Sequence, residues 1–106
     1  MQMKRLIAAF IALIATGISA AEESQAAGFP NNAGGWTVIT TRTDYCGARD
    51  MRDGYAFGTG GAGYTRLCWL ARNDKVLAVL ETGENLIWSI HSFEELVAEP
   101  DVNNKL

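Results

Sequence analysis

Apolar and polar residues divide this chain into four stretches. Residues 1–5 end in two basic side chains, residues 6–21 carry no charge, residues 22–35 have little apolar content and contain glycines, and from Trp36 short apolar runs alternate with turn residues. Trp36-Thr37-Val38-Ile39-Thr40-Thr41 is β-branched and aromatic and predicts a strand. Residues 64–71 (YTRLCWLA), 75–81 (KVLAVLE) and 86–90 (LIWSI) predict three more, with Asn73-Asp74 and residues 82–85 (TGEN) as turns. Leu and Ala within 74–81 also suit a helix. The pattern predicts a mainly β domain, or a small α+β one: an antiparallel meander of about four strands.

Alternation within the runs is incomplete. Leu67, Trp69 and Ala71 fall on one face of their strand, Cys68 and Leu70 on the other, and residues 76–80 are apolar on both. A sheet apolar on both sides needs cover on both sides. A curled, barrel-like sheet would provide it; so would the N-terminal strand plus a helix. Ser92-Phe93-Glu94-Glu95 has the form of a capping box, Phe93, Leu96 and Val97 recur at helical spacing, and Pro100 follows. These residues predict one short C-terminal helix of about two turns, too short to persist without docking.

The first stretch reads as a secretory signal peptide. Lys4 and Arg5 form a basic n-region, residues 6–18 an apolar core, and Ser19-Ala20-Ala21 a small-residue cleavage site. The alternative is a membrane-anchored protein with this segment uncleaved, but a spanning helix takes about 20 apolar residues, and Thr16, Gly17 and Ser19 weaken the end of this one. The expected order is therefore a signal peptide at 1–21, a flexible segment at 22–35, one small β-rich domain at 36–99 and a frayed tail at 100–106. The product would be periplasmic or secreted, with no membrane association after cleavage.

A core of this size rarely supplies more than ~3–5 kcal/mol net and usually carries a staple. Cys46 and Cys68 are the two cysteines, and an exported chain meets oxidising conditions. A Cys46–Cys68 disulfide would close a loop of about 23 residues and remove roughly 3 kcal/mol of unfolded-chain entropy. The whole chain has a formal net charge of −3; without Lys4 and Arg5 it retains 7 basic and 12 acidic side chains, a net charge of −5. That disfavours nucleic acid as a partner and tilts mildly toward a basic protein or a cationic ligand.

Motifs for catalysis fare poorly. Residues 58–63 (GTGGAG) match the dinucleotide glycine pattern, yet a strand-like run follows where that motif requires a helix, so they read as a mobile or tightly turned loop. Asp44, Asp50 and Asp53 lack the alternate spacing and closing Glu of a calcium loop, and Arg49 and Arg52 stand among them. His91 is the sole histidine; Ser89, Ser92, Glu94 and Glu95 lie near it in sequence, but neither a triad nor a zinc set can be composed. Trp69 and Trp88 lie within strand-like runs and read as core, whereas Trp36 is open to either core or ligand stacking. The expectation is a non-enzymatic protein with no cofactor and no metal. Its binding surface would lie in the Gly-, Asp-, Arg- and Tyr-rich region 44–64 and engage an extracytoplasmic protein, with Arg49, Arg52, Tyr55 and Tyr64 as contact residues.

Cys46, then Cys68-Trp69, Glu81-Thr82-Gly83, Trp88 and Phe93 form a pattern that resembles small exported proteins of bacteria and their phages. This resemblance implies a disulfide-linked β-rich domain and no particular activity. Residues 58–64 (GTGGAGY) also resemble the small-residue loop that periplasmic inhibitors of C-type lysozyme insert into the enzyme cleft. Tyr64 is the residue that carries over; serines and a basic residue of that loop are glycines here. Inhibition through loop 58–64 is the alternative function.

Overall fold

The structure, a computed structural model, describes residues 24–102. The signal peptide read at 1–21 and residues 103–106 of the expected tail lie outside the described residues. Seven strands form a single antiparallel sheet: β1 (Ala26–Pro30), β2 (Trp36–Thr40), β3 (Arg52–Phe57), β4 (Thr65–Arg72), β5 (Lys75–Leu80), β6 (Asn85–Ser89) and β7 (Glu94–Leu96). Their order, β6-β5-β4-β3-β2-β1-β7, is an uninterrupted meander whose last strand returns to the free side of β1. The four strands read from the sequence are β2, β4, β5 and β6. Among the described residues the helical elements are three short 3-10 turns, at Gly47–Arg49, Thr59–Gly61 and Ile90–Ser92, so the domain is all-β.

The sheet curls into a half-barrel, and the curl follows from its two apolar faces. On the inner face Ala27, Ile39, Leu67, Trp69, Val76 and Ala78 make one core with Ile90 and Phe93. Rings from the two ends of the meander meet there: Phe29 of β1 lies 5.8 Å from Trp88 of β6 and 5.0 Å from Phe93, edge to face. On the outer face Ala26, Val38, Tyr55 and Phe57 form a second cluster, covered by Trp36, Leu96 and Val102.

Three expectations are corrected. The segment 22–35 reads as flexible, but in its described part, from Ser24 on, Ala26–Pro30 is a strand paired on both sides, and Asn31 ties the turn that follows. Its glycines serve close packing: a Cβ on buried Gly28 would lie 2.7 Å from the Thr37 carbonyl oxygen, and one on Gly35 2.2 Å from that of Phe57. The expected C-terminal helix is a 3-10 turn followed by β7. Ser89, rather than Ser92, caps that turn by accepting the His91 N–H at 3.1 Å, and Phe93 is extended at φ −95°, ψ 144°. An isolated two-turn helix has little stability of its own, whereas the extended backbone buries Phe93 completely and pairs Glu94 with Gly28. The tail is the third: residues 100–102 fold back over the outer face, where Val102 packs on its cluster.

The β2–β3 ladder opens after Ile39 and Gly54, since Asp53 N–H donates to Arg42 O instead of continuing the register. Carbonyls freed there need donors. The Trp69 indole N–H reaches Thr40 O at 3.0 Å and Asp53 O at 3.1 Å, and the Thr40 hydroxyl also donates to Asp53 O. Trp69 thus fills the inner core and satisfies the open end of the ladder together.

Cys46 and Cys68 form a disulfide, with Cα atoms 5.5 Å apart, that fastens the loop between β2 and β3 onto the outer face of β4. Asp53 completes the attachment by accepting the backbone N–H groups of Tyr45 and Cys46. Replacing both cysteines by alanine is expected to lower unfolding stability by about 3 kcal/mol in urea titration, and reductant should then shift the midpoint of the native chain but not of the variant. Trp69→Phe should cost about 2 kcal/mol in the same titration, with an unchanged m-value, because it removes a donor from buried carbonyls and little apolar volume.

Candidate functional site

Strand parity decides which of the expected contact residues meet. Tyr55 and Arg52 lie an odd number of positions apart on β3 and so face opposite sides. Arg52 pairs with Trp69 on the inner side, and Tyr55 pairs with Arg66 on the outer side. Tyr64, just before β4, lays its ring on Tyr55 at 5.8 Å and 20° between planes, and Phe57 also stacks on Tyr55, at 6.2 Å. Arg49 stands exposed on the 3-10 turn Gly47–Arg49. Of the four residues named from the sequence, Tyr55 and Tyr64 come together. Arg52 faces away from them.

Two further residues complete the surface. The disulfide sets Tyr45 over β4, where the Arg66 guanidinium lies 4.7 Å from its ring centroid. Tyr45 and Tyr64 are 44% and 46% exposed, yet each is braced, one by a cation and the other by a buried ring. The result is a ledge of two exposed aromatic rings and one planar cation on a rigid sheet. Such groups recognise ligands by stacking and by paired hydrogen bonds to carboxylates, with little ordering left to be done on binding. Both residues could be found in the sequence. Arg66 shares Tyr64's strand face two positions on, and Tyr45 adjoins a cysteine whose partner lies two residues from Arg66.

Behind the ledge, the segment after β7 is clasped to the outer face. Glu99 takes a two-pronged ion pair from Arg42, at 2.5 and 3.0 Å, and accepts the Tyr55 hydroxyl at 2.6 Å. The Arg42 hydrogen bonds hold the Glu99 carboxyl below its ordinary value, with the Tyr55 hydroxyl adding to the effect against partial burial. Burial first, and then the bond to Glu99, pushes the Tyr55 phenol well above its ordinary range. Sequence reasoning missed this clasp because Arg42 and Glu99 are 57 positions apart and no local pattern relates them.

The glycine loop connects β3 to β4 as a closed turn. Gly58 N–H donates to Ala62 O, Thr59 N–H reaches across to Ala33 O, and Gly60, Gly61 and Gly63 take positive φ. Gly61 lies under the clasped segment, where a Cβ would come 2.5 Å from Val102 O. Flanking strands β3 and β4 are antiparallel neighbours. Asp53 is turned to the Tyr45 and Cys46 amides on the outer face, whereas Asp44 and Asp50 are exposed. Among the described residues no three of His, Cys, Asp and Glu converge as a metal site.

Depression of the Glu99 carboxyl has a definite sign. Its contribution to stability is complete above the ordinary Glu value of about 4.3 and is lost as pH falls through the lower folded value. Glu99→Gln is expected to lower stability at pH 7 by about 1 kcal/mol, less than a buried charged hydrogen bond gives because both side chains remain partly wet. The difference between native chain and variant should shrink toward zero as the urea midpoint is followed from pH 5 into acid.

Comparison with protein-family models, with the curated proteins and with the solved structures finds no match to this chain.

Proposed function

We propose that this domain is a small exported binding module, periplasmic or secreted, which engages an extracytoplasmic protein through the ledge of Tyr45, Arg66 and Tyr64. One observation carries the reading: two tyrosines stand nearly half exposed and yet are locked in place by Arg66 and by Tyr55. Exposed aromatics cost solubility, and Tyr and Arg braced in this way are the residue types that dominate binding energy at protein interfaces. Compartment is consistent with the disulfide, which belongs to oxidising surroundings outside the cytoplasm. No helix among the described residues is long and apolar enough to cross a membrane.

Binding rather than catalysis also fits the ionisable groups. Arg42, Tyr55 and Glu99, whose titration is displaced, are engaged with one another in the clasp. His91 stands exposed on its turn.

The test is cross-linked capture from extracytoplasmic fractions with the native chain and with Tyr45→Ala, Arg66→Ala and Tyr64→Ala. Each variant should lose the captured protein, with an affinity drop of at least about tenfold, while its urea midpoint stays within about 1 kcal/mol of native. Capture unaffected by all three variants would remove the ledge from the reading. Saturable inhibition of a C-type lysozyme, abolished by Tyr64→Ala, would replace it with inhibition through loop 58–64.

A further inference from the structure

The outer face of β4–β6 carries a second surface that the ledge does not use. Leu70, Leu77 and Ile87 stand directly opposite one another across the three strands, beside Val79. Leu70, Leu77 and Val79 are partly buried, and Ile87 is 64% exposed. The stripe runs to the end of the sheet, because β6 is a terminal strand.

Soluble proteins blunt such an edge with a charge, a proline, a bulge or a very short strand. The other terminal strand, β7, is blunted: it has three residues, two of them Glu94 and Glu95. Strand β6, Asn85-Leu86-Ile87-Trp88-Ser89, has none of these devices.

The hydrogen-bond parity of β6 is fixed by its neighbour. Leu80 N–H donates to Glu84 O and Ile90 N–H donates to Asp74 O. Alternation between those two points turns the backbone groups of Leu86 and Trp88 toward β5 and those of Asn85, Ile87 and Ser89 toward the open edge. The strand is also palindromic in polarity about Ile87. An antiparallel copy centred there sets Ile87 against Ile87, Asn85 against Ser89 and Leu86 against Trp88, and pairs every outward N–H and C=O in about six backbone hydrogen bonds.

We propose that β6 is a homodimerisation edge, pairing antiparallel with β6 of a second copy about a twofold axis at Ile87. The apolar stripe then continues from one copy into the other, and the contact closes on itself instead of propagating as a fibre. Such an edge contact buries less than a standard interface, so the dimer is weak, with a Kd of about 0.1 mM.

The test uses the oxidised chain in sedimentation velocity up to about 1 mM. The native chain should show a reversible monomer–dimer equilibrium. Ile87→Lys and Ile87→Glu each place like charges opposite one another and should raise the Kd at least about tenfold, while their equimolar mixture should restore a heterodimer. Val97→Lys, at a fully exposed apolar position away from β6, should dimerise like the native chain. A native chain that stays monomeric, an Ile87→Lys variant that dimerises undiminished, or a mixture that fails to restore association would each overturn the proposal.

Discussion

Water must be kept from two faces of one sheet, and this small chain has little material with which to do it. Strands β1, β2, β4, β5 and β6 place apolar side chains on the inside, where curling brings Phe29, Trp88 and Phe93 together without a second layer. The outer face has no such recourse. Over β1–β3 it is covered by the segment that carries Val102, and over β4 by the disulfide-fastened loop. Every other feature answers to that constraint, from the proline-ended first strand to the clasp on Glu99.

Cover on the outer face is incomplete, and its gaps are where interaction becomes possible. Tyr45 and Tyr64 emerge at the margin of the fastened loop, Ile87 beyond its reach. The two surfaces differ in kind. One consists of rings and a guanidinium held rigid by buried neighbours; the other is a strand edge whose own backbone is the recognition element. Separation of this sort leaves the ledge available in both a single copy and a pair.

Much of the sheet was legible. Runs around Ile39, Trp69, Val76 and Trp88 announced β2, β4, β5 and β6, and the double-sided apolar pattern called for cover on both faces, to which a curled sheet was one of two answers. Strands β1, β3 and β7 escaped notice for separate reasons. Gly28 is small because the Thr37 carbonyl lies too close for a side chain, and beside Ala26 and Ala27 it looks in a sequence like flexibility. Gly54 interrupts β3 for a similar cause, since Leu67 folds over it from the next strand. Strand β7 carries a genuine helix-start pattern that burial of Phe93 overrides. At the site, Tyr55 and Tyr64 were found by composition, but the sides they take depend on register, and Arg52 was lost to parity.

The pairing of Ala26 with Leu96 has a consequence in time. The first strand of the sheet and its last are neighbours, so the sheet reaches full width only after about seventy intervening residues have found their places. A chain emerging from its first residue can build the meander hairpin by hairpin, yet the outer side of β1 stays open until β7 arrives. Contacts of that span slow folding and prolong exposure of an unpaired edge. Leu96 is therefore the residue whose arrival separates a nascent sheet, still able to pair with the wrong strand, from one that can no longer do so on that side.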